Sequence, residues 1–372
     1  MNNPVRASVA DRLAFVDALR GYAIAGVLLY HCWCAAQDSL PGLNRGITIL
    51  AAHGRLGVQL FFVVSAFTLC NSIAAGKRRG DFSLGGFFAN RCLRILPLYW
   101  LALIGYSNLR VWDGGAALGW KHFLACAFFV NWLTPATLHL GVPGGWSVVC
   151  EIWFYAMLPF LAARIKDGAA ALNALLIVLC ARAGAYAWLE HHPLGFAGGD
   201  FRGWLVGILP NQLPVFMAGI VFFHLHCGGA RSFSRSAATP AWLGFGAYLL
   251  AARMWNMDFL LPVEYLFTAG FFAIAWALAG GGAGLLVNRA AIFTGKVSYS
   301  VYICHFLAVH YAAVWLLPRL MRWDADAAFA VFCAGGSLAS IGLAWALHKG
   351  IEVPAQRAGR KWLERRRATR LP

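Results

Sequence analysis

From Leu56 to Ala75 the chain runs for twenty residues without a charged side chain, and Phe15 to Ala36 and Phe259 to Leu278 are nearly as apolar. About twenty apolar residues are what an α-helix needs to cross a hydrocarbon core about 30 Å thick. Such runs leave few folds open. Lipid offers no hydrogen bonds to the backbone, so each segment must satisfy its own amides, which a helix does. The charge supply agrees: charged residues are 12% of the chain and hydrophobic ones 60%, whereas soluble proteins carry about 25% charge. There are too few charges to cover a soluble surface.

Met1 to Arg12 is polar, and the long apolar run after it lacks a small-residue cleavage site, so the first helix is expected to stay in the mature protein. A net charge of +16 raises the question of nucleic acid. The basic residues, however, cluster in short links between apolar runs and after Gly350, without interleaved aromatics, which is the positive-inside pattern of a membrane protein rather than a nucleic-acid surface. Nearly all of the ten cysteines lie inside apolar runs and none form paired CxxC sets, so they read as small buried hydrophobes rather than metal ligands. No metal site is expected.

Eleven apolar windows begin near Phe15, Leu56, Cys92, Leu118, Trp146, Ala171, Gly203, Ala241, Pro262, Ile292 and Ala327. Both ends are basic, Arg6 and Arg12 at the start and Lys349, Arg357, Arg360, Lys361, Arg365, Arg366, Arg367 and Arg370 at the end, which places both in the cytosol. An odd number of crossings would separate them. The window from Leu118 to Leu133, short and carrying Lys121 and His122, is the one expected not to cross. The expected fold is therefore an all-α integral membrane protein with about ten transmembrane helices plus one partial or re-entrant helix. Residues 1–349 form the multi-pass domain and 350–372 a basic cytoplasmic tail at the lipid surface. The links with Lys77 to Arg79, Arg164 and Lys166, Arg231 and Arg235, and Arg289 and Lys296 then face the cytosol, and His191 to Arg202 faces outward; Arg319 and Arg322 run against the rule.

Ionisable residues at membrane depth are costly and by default mark function. The first helix holds Asp17, Arg20 and His31. Arg20 and His31 are separated by about three helical turns, so they share a face roughly 16 Å apart along the axis. Taken alone, Arg20 snorkelling to the headgroups and His31 bonding a neighbouring helix would account for both. Arg91 and Arg94, one turn apart at the opening of the third helix, either anchor topology or clamp phosphate together with Arg20. Ser147, Glu151 and Tyr155 recur every fourth residue and form a polar stripe beside Trp146. Ser147 would alternatively be an N-cap. In the ten-span topology Glu151 and His31 fall at similar depth and would pair.

In order and spacing these residues resemble the acyltransferase 3 family of bacterial transmembrane acyltransferases. Arg20 and His31 are similar to its Arg-x10-His signature, Gly57 to Ser65 to its GV-x-x-FF-x-x-SG segment and Arg91 to Pro97 to its R-x-x-R-I-x-P segment. Trp146, Ser147 and Glu151 resemble its W-S-x-x-x-E helix. Gly295, Ser298, Tyr299, Tyr302 and His305 resemble its G-x-x-S-Y-x-x-Y-x-x-H pattern, and Glu352 with Pro354 its closing element. Ala66 departs from the family, standing where glycine is common.

The resemblance implies a membrane-bound O-acyltransferase of the bacterial inner membrane that moves an acyl group, often acetyl, from acyl-CoA to a hydroxyl of a cell-envelope glycan or small molecule. Acyl-CoA enters as co-substrate, with no permanently bound cofactor and no nucleic acid; the bilayer is the standing partner. No SGNH-like segment follows, so the acyl group is expected to pass directly to the acceptor or to a separate envelope partner. In this reading Arg20, Arg91 and Arg94 meet the donor phosphates, His31 is general base oriented by Glu151, and Asp17, Ser65, Trp146, Ser147, Tyr155, Tyr302 and His305 orient or line the site. A covalent acyl-enzyme is the other route. The competing class is a transporter or flippase, whose inverted repeats or paired broken helices are not visible in the sequence.

Overall fold

The computed structural model describes residues 9–112, 114–191, 201–228, 262–279 and 284–368, and among them all regular structure is helical. In chain order the helices are α1 (Val9–Ala36), α2 (Arg45–His53), α3 (Gly57–Arg79), α4 (Leu84–Trp112), α5 (Trp120–Ala127), α6 (Gly145–Arg164), α7 (Gly168–His191), α8 (Phe201–Gly207), α9 (Leu209–Gly228), α10 (Val263–Ala279), α11 (Arg289–Lys296), α12 (Ser298–Leu320), α13 (Ala325–Leu347) and α14 (Val353–Ala368). The chain divides into two compact units, residues 1–64 with 273–353 and residues 65–272 with 354–372.

In the first unit α1 is the central element, packed by α2, α11, α12 and α13. Small residues make this close approach feasible. A Cβ added at Gly295 of α11 would run into the Asp17 backbone, and one added at Gly21 would run into that of Ala291. One helical turn further along α1, a Cβ on Gly26 would lie 3.0 Å from the carbonyl oxygen of Gly54, in the short turn before α3. Beyond these contacts, Cys32, Ala36, Leu40, Val309, Phe329 and Phe332 close a buried apolar cluster. The helix starts are fixed locally. Asn44 caps α2 by accepting from the Gly46 amide at 2.8 Å, and its own amide donates to Asp326 at 2.8 Å. Asp324 caps α13 through the amides of Asp326 and Ala327.

In the second unit α9 is the shared partner of α6, α7 and α8, and α4 packs on α5. Phe154 of α6 stacks on Phe216 of α9 with ring centroids 4.1 Å apart. Leu138, Trp204, Leu205 and Ile208 form a second apolar cluster, edged by Trp132, Trp146 and Tyr186.

Seven helical stretches among the described residues are long and apolar enough to cross a membrane: Arg45–Arg79, Leu84–Val111, Gly145–Arg164, Gly168–Leu189, Phe201–Cys227, Ser298–Leu320 and Ala325–Trp362. The 28-residue α1 carries charges among its apolar residues, and α10 has 17 residues. The window expected near Ala241 and most of the outward loop after His191 lie outside the described residues. The fourth window yields only α5, eight residues long, which at about 12 Å cannot cross a bilayer alone.

Two local expectations change, and the basic tail gains a secondary structure. The third helix begins at Leu84, where the Ser83 hydroxyl accepts from the Gly86 amide at 3.2 Å, so Arg91 and Arg94 sit well inside α4 rather than at its opening. The residues after Gly350 form α14, entered through a π turn over His348–Glu352, and Gly359 of α14 lies so close to Leu93 of α4 that a side chain there would collide. None of the ten cysteines forms a disulfide, but Cys92, Cys180 and Cys227 are exposed on outward helix faces rather than buried; for a helix in lipid an outward apolar face costs nothing.

Candidate functional site

The first unit holds one group of the residues singled out above. On α1, Arg20 reaches back one turn to Asp17 at 3.8 Å, with 16% and 23% of the two side chains exposed. A long, partly solvated ion pair of this kind contributes little stability. Further along α1, the His31 ring packs against Phe306 at 4.2 Å and His305 at 4.9 Å between centroids, with Tyr30 at 4.9 Å edge-on. Tyr302, His305 and Phe306 lie three and four residues apart on α12 and so share the face turned to α1. Tyr302 stands 5.7 Å from His305 and 6.3 Å from Phe61 of α3, by ring centroid.

His305 is fully buried, with Nδ1 2.7 Å from the Tyr302 carbonyl oxygen and 3.2 Å from that of Val301. Both neighbours are acceptors, so Nδ1 carries the hydrogen and Nε2 is the acceptor nitrogen. Nε2 is buried and has no hydrogen-bond partner. Elsewhere on α12, the Ser300 hydroxyl donates to Glu352 at 2.9 Å, and His348 Nδ1 meets the same carboxylate oxygen at 2.9 Å. The carboxylate is 3% exposed, so the π turn is pinned to α12 from inside the protein.

The second unit holds the other group. Glu151 of α6 accepts a 2.5 Å hydrogen bond from the Ser65 hydroxyl of α3, and Tyr155, one turn on, also hydrogen-bonds it. Arg91 of α4 lies in electrostatic range of Glu151, Tyr155 and Arg94. Its Nε is buried without a partner, and its guanidinium stands 5.9 Å from the Phe87 ring centre. A carboxylate held by two hydroxyls beside two guanidiniums makes a fixed polar site in an apolar helix bundle, with one guanidinium donor still unused.

Ser147, Glu151 and Tyr155 share one face of the continuous helix α6. Ser147 bonds back to the Gly144 carbonyl at 3.1 Å, and Gly144, not Ser147, is the N-cap residue. Gly144 has φ of 73°, a left-handed conformation open to glycine at little cost. Trp146 packs at the edge of the apolar cluster with Trp204. The expected partners His31 and Glu151 belong to different units; the neighbours described here are His305 and Phe306 for the first, Ser65 and Tyr155 for the second. Sequence reasoning named His31, His305, Ser65, Glu151 and Tyr155 but not Phe306 or Ser300, nor the bonds from Ser65 to Glu151 and from Ser300 to Glu352. Those link helices far apart in the chain and leave no periodicity to read. His348 was missed as well, although its i,i+4 spacing from Glu352 was a usable signal. Among the described residues no three or more His, Cys, Asp or Glu side chains gather as a metal site would require.

The family model described as an acyltransferase domain matches residues 13–349. The chain belongs to this acyltransferase family. Every residue of both groups except Glu352 lies within the matched segment. The chain is similar to a protein of Acidianus two-tailed virus named as an acetyltransferase, ORF330, with 25% identity over 301 residues, 78% of this chain and 82% of that one. It is also similar to the exopolysaccharide production protein ExoZ of Rhizobium meliloti (strain 1021), 32% identical over 108 residues, 28% of this chain and 33% of that one. No solved structure matches.

Proposed function

We propose that this acyltransferase moves an acetyl group from acetyl-CoA to a hydroxyl of a cell-envelope glycan or small molecule. The observation that carries the reading is the layout of α1, where Arg20 and an imidazole, His31, share one helix face with the charged group at one end and the base about three turns away. An acyl-CoA has the same division. Its phosphates require cations, its thioester requires a base and an acceptor, and an extended arm joins the two. The names of the two relatives support an acetyl group and an envelope polysaccharide, respectively.

In the proposed reaction His31 takes the proton of the acceptor hydroxyl as its oxygen attacks the thioester carbonyl. The carbon–sulfur bond breaks, and the proton passes to the departing thiolate. Arg20 on α1 and Arg91 and Arg94 on α4 are assigned to the donor's phosphates, a task suited to the planar guanidinium fork. The unused Nε of Arg91 supports that assignment. Glu151, held by Ser65 and Tyr155 and in electrostatic range of Arg91, is assigned to the same charged site. We also assign the chain to the bacterial inner membrane with both ends in the cytosol. The seven stretches above support a multi-pass topology, for which we keep about ten crossings with α5 as the partial helix.

The test is purified protein with labelled acetyl-CoA and a panel of envelope oligosaccharides. His31→Ala is expected to abolish transfer while the protein remains inserted and folded. Normal turnover by well-folded His31→Ala protein would remove His31 from the chemistry.

A further inference from the structure

We propose that His305 is the positioning residue for His31, accepting the N–H of the His31 ring through its own Nε2. The inference rests on His31 acting as the base.

Four observations converge on it, all within the first unit. The two rings stand 4.9 Å apart by centroid, tilted by 48°. A ring nitrogen lies about 1 Å from its centroid, so this spacing allows nitrogens to approach to about 3 Å when they face each other, the length of a hydrogen bond. His305 is locked in one tautomer, because the Tyr302 and Val301 carbonyl oxygens both demand a hydrogen on Nδ1. The nitrogen left over, Nε2, can then only accept. That acceptor is buried and unpartnered, a condition that costs about 1–3 kcal/mol unless some state of the protein fills it. Finally, Phe306 flanks both rings, 4.2 Å from His31 and 4.3 Å from His305 by centroid, and confines them to a common slot.

A base must present its lone pair to the acceptor hydroxyl, which in neutral imidazole means that the other nitrogen carries the hydrogen. An acceptor for that hydrogen decides which nitrogen faces the substrate. His305 Nε2 does this and does more once the proton arrives. The imidazolium formed on His31 has two N–H groups in a site of low dielectric, and the lone pair of His305 disperses its charge while the His305 Nδ1 hydrogen stays on the Tyr302 carbonyl. No proton is gained or lost by His305. The proton on His31 comes from the acceptor hydroxyl and leaves with the thiolate. Free enzymes often hold such contacts long and close them only in the substrate complex.

The experiment compares His305→Phe, which fills the same space without a lone pair, with His305→Gln, whose amide oxygen restores an acceptor. Thermal unfolding checks that each is folded. The probe is acetyl-CoA with release of thiol as the readout, using water or the best oligosaccharide of the panel as acceptor. We expect His305→Phe to lose about 100-fold in kcat with the KM for acetyl-CoA unchanged. His305→Gln should recover part of that loss, and adding His305→Phe to His31→Ala should cost nothing further. A folded His305→Phe with wild-type kcat overturns the inference, and so does a loss that appears in KM or that Gln leaves uncorrected. If His31→Ala is inactive while His305→Phe is active, this inference alone fails; if His31→Ala is itself active, the reading of His31 as base fails first.

Discussion

Gly295→Ala tests whether the placement of α1 governs activity. An added Cβ at this position would lie 2.6 Å from the carbonyl carbon of Asp17, and the reciprocal Cβ at Gly21 would lie 2.9 Å from that of Ala291. Carbon atoms pack comfortably at about 3.5–4.0 Å, and the Asp17 carbonyl oxygen lies nearer still, so α11 and α1 must part by at least about 1 Å to admit one methyl group. Overpacking costs about 1–3 kcal/mol. The upper end applies because the obstacle is helix backbone, which has no rotamer with which to step aside. In detergent the unfolding midpoint should drop by about 5 °C. Arg20 lies one turn beyond Asp17 on α1, so the same displacement moves the charged end of the proposed site. A misplacement of about 1 Å can lower turnover by about 100-fold, and kcat/KM for acetyl-CoA should fall at least tenfold, within that range. Gly342→Ala on α13 is the control. Its new methyl would meet nothing within 4 Å, and it should be neutral or more stable by up to about 1 kcal/mol. A Gly295→Ala protein with unchanged midpoint and unchanged transfer would refute the reasoning, since the seam would then be soft and α1 free to slide.

The remaining predictions concern three other contacts. Arg91→Ala or Arg94→Ala should raise the KM for acetyl-CoA more than that for the acceptor, with kcat little changed. Lys should recover only part of the affinity for want of the planar fork, and full rescue by Lys in two-substrate kinetics would reduce both arginines to topology anchors. Ser65→Ala removes the 2.5 Å bond to Glu151 and should lower transfer about tenfold, whereas Ser65→Thr, which keeps the hydroxyl, should not; equal rates for both variants would detach Ser65 from the site. Glu352→Gln should destabilise the protein by about 1–3 kcal/mol, because the buried carboxylate serves both Ser300 and His348. In that background His348→Ala should add little on thermal unfolding, and an additive loss would show that the two side chains act independently.

The sequence by itself determined the solvent and the class of structure. Runs such as Leu56 to Ala75 suit only lipid, and lipid accepts only self-satisfied backbone, so helices were fixed before any contact was known. It also singled out candidate residues, because an Arg, His or Glu in such a run is costly and by default marks function, and spacing alone sets the offset of Arg20 from His31 along a rigid helix. Spacing says nothing of partners on other helices. The tertiary structure decided that Ser65 and Tyr155 hold Glu151, that Asp17 stands by Arg20, and that His305 rather than a carboxylate of its own unit lies against His31. It also decided where helices end. Ser83 starts α4 early enough to draw Arg91 inside, and a π turn held by Glu352 carries the chain into α14, which gives the basic segment its helical form. Periodicity is a property of one helix, set by backbone geometry that every residue shares. Pairing between helices depends on side-chain volumes and single hydrogen bonds between residues as distant as Ser65 and Glu151, and it exists only once the helices have packed.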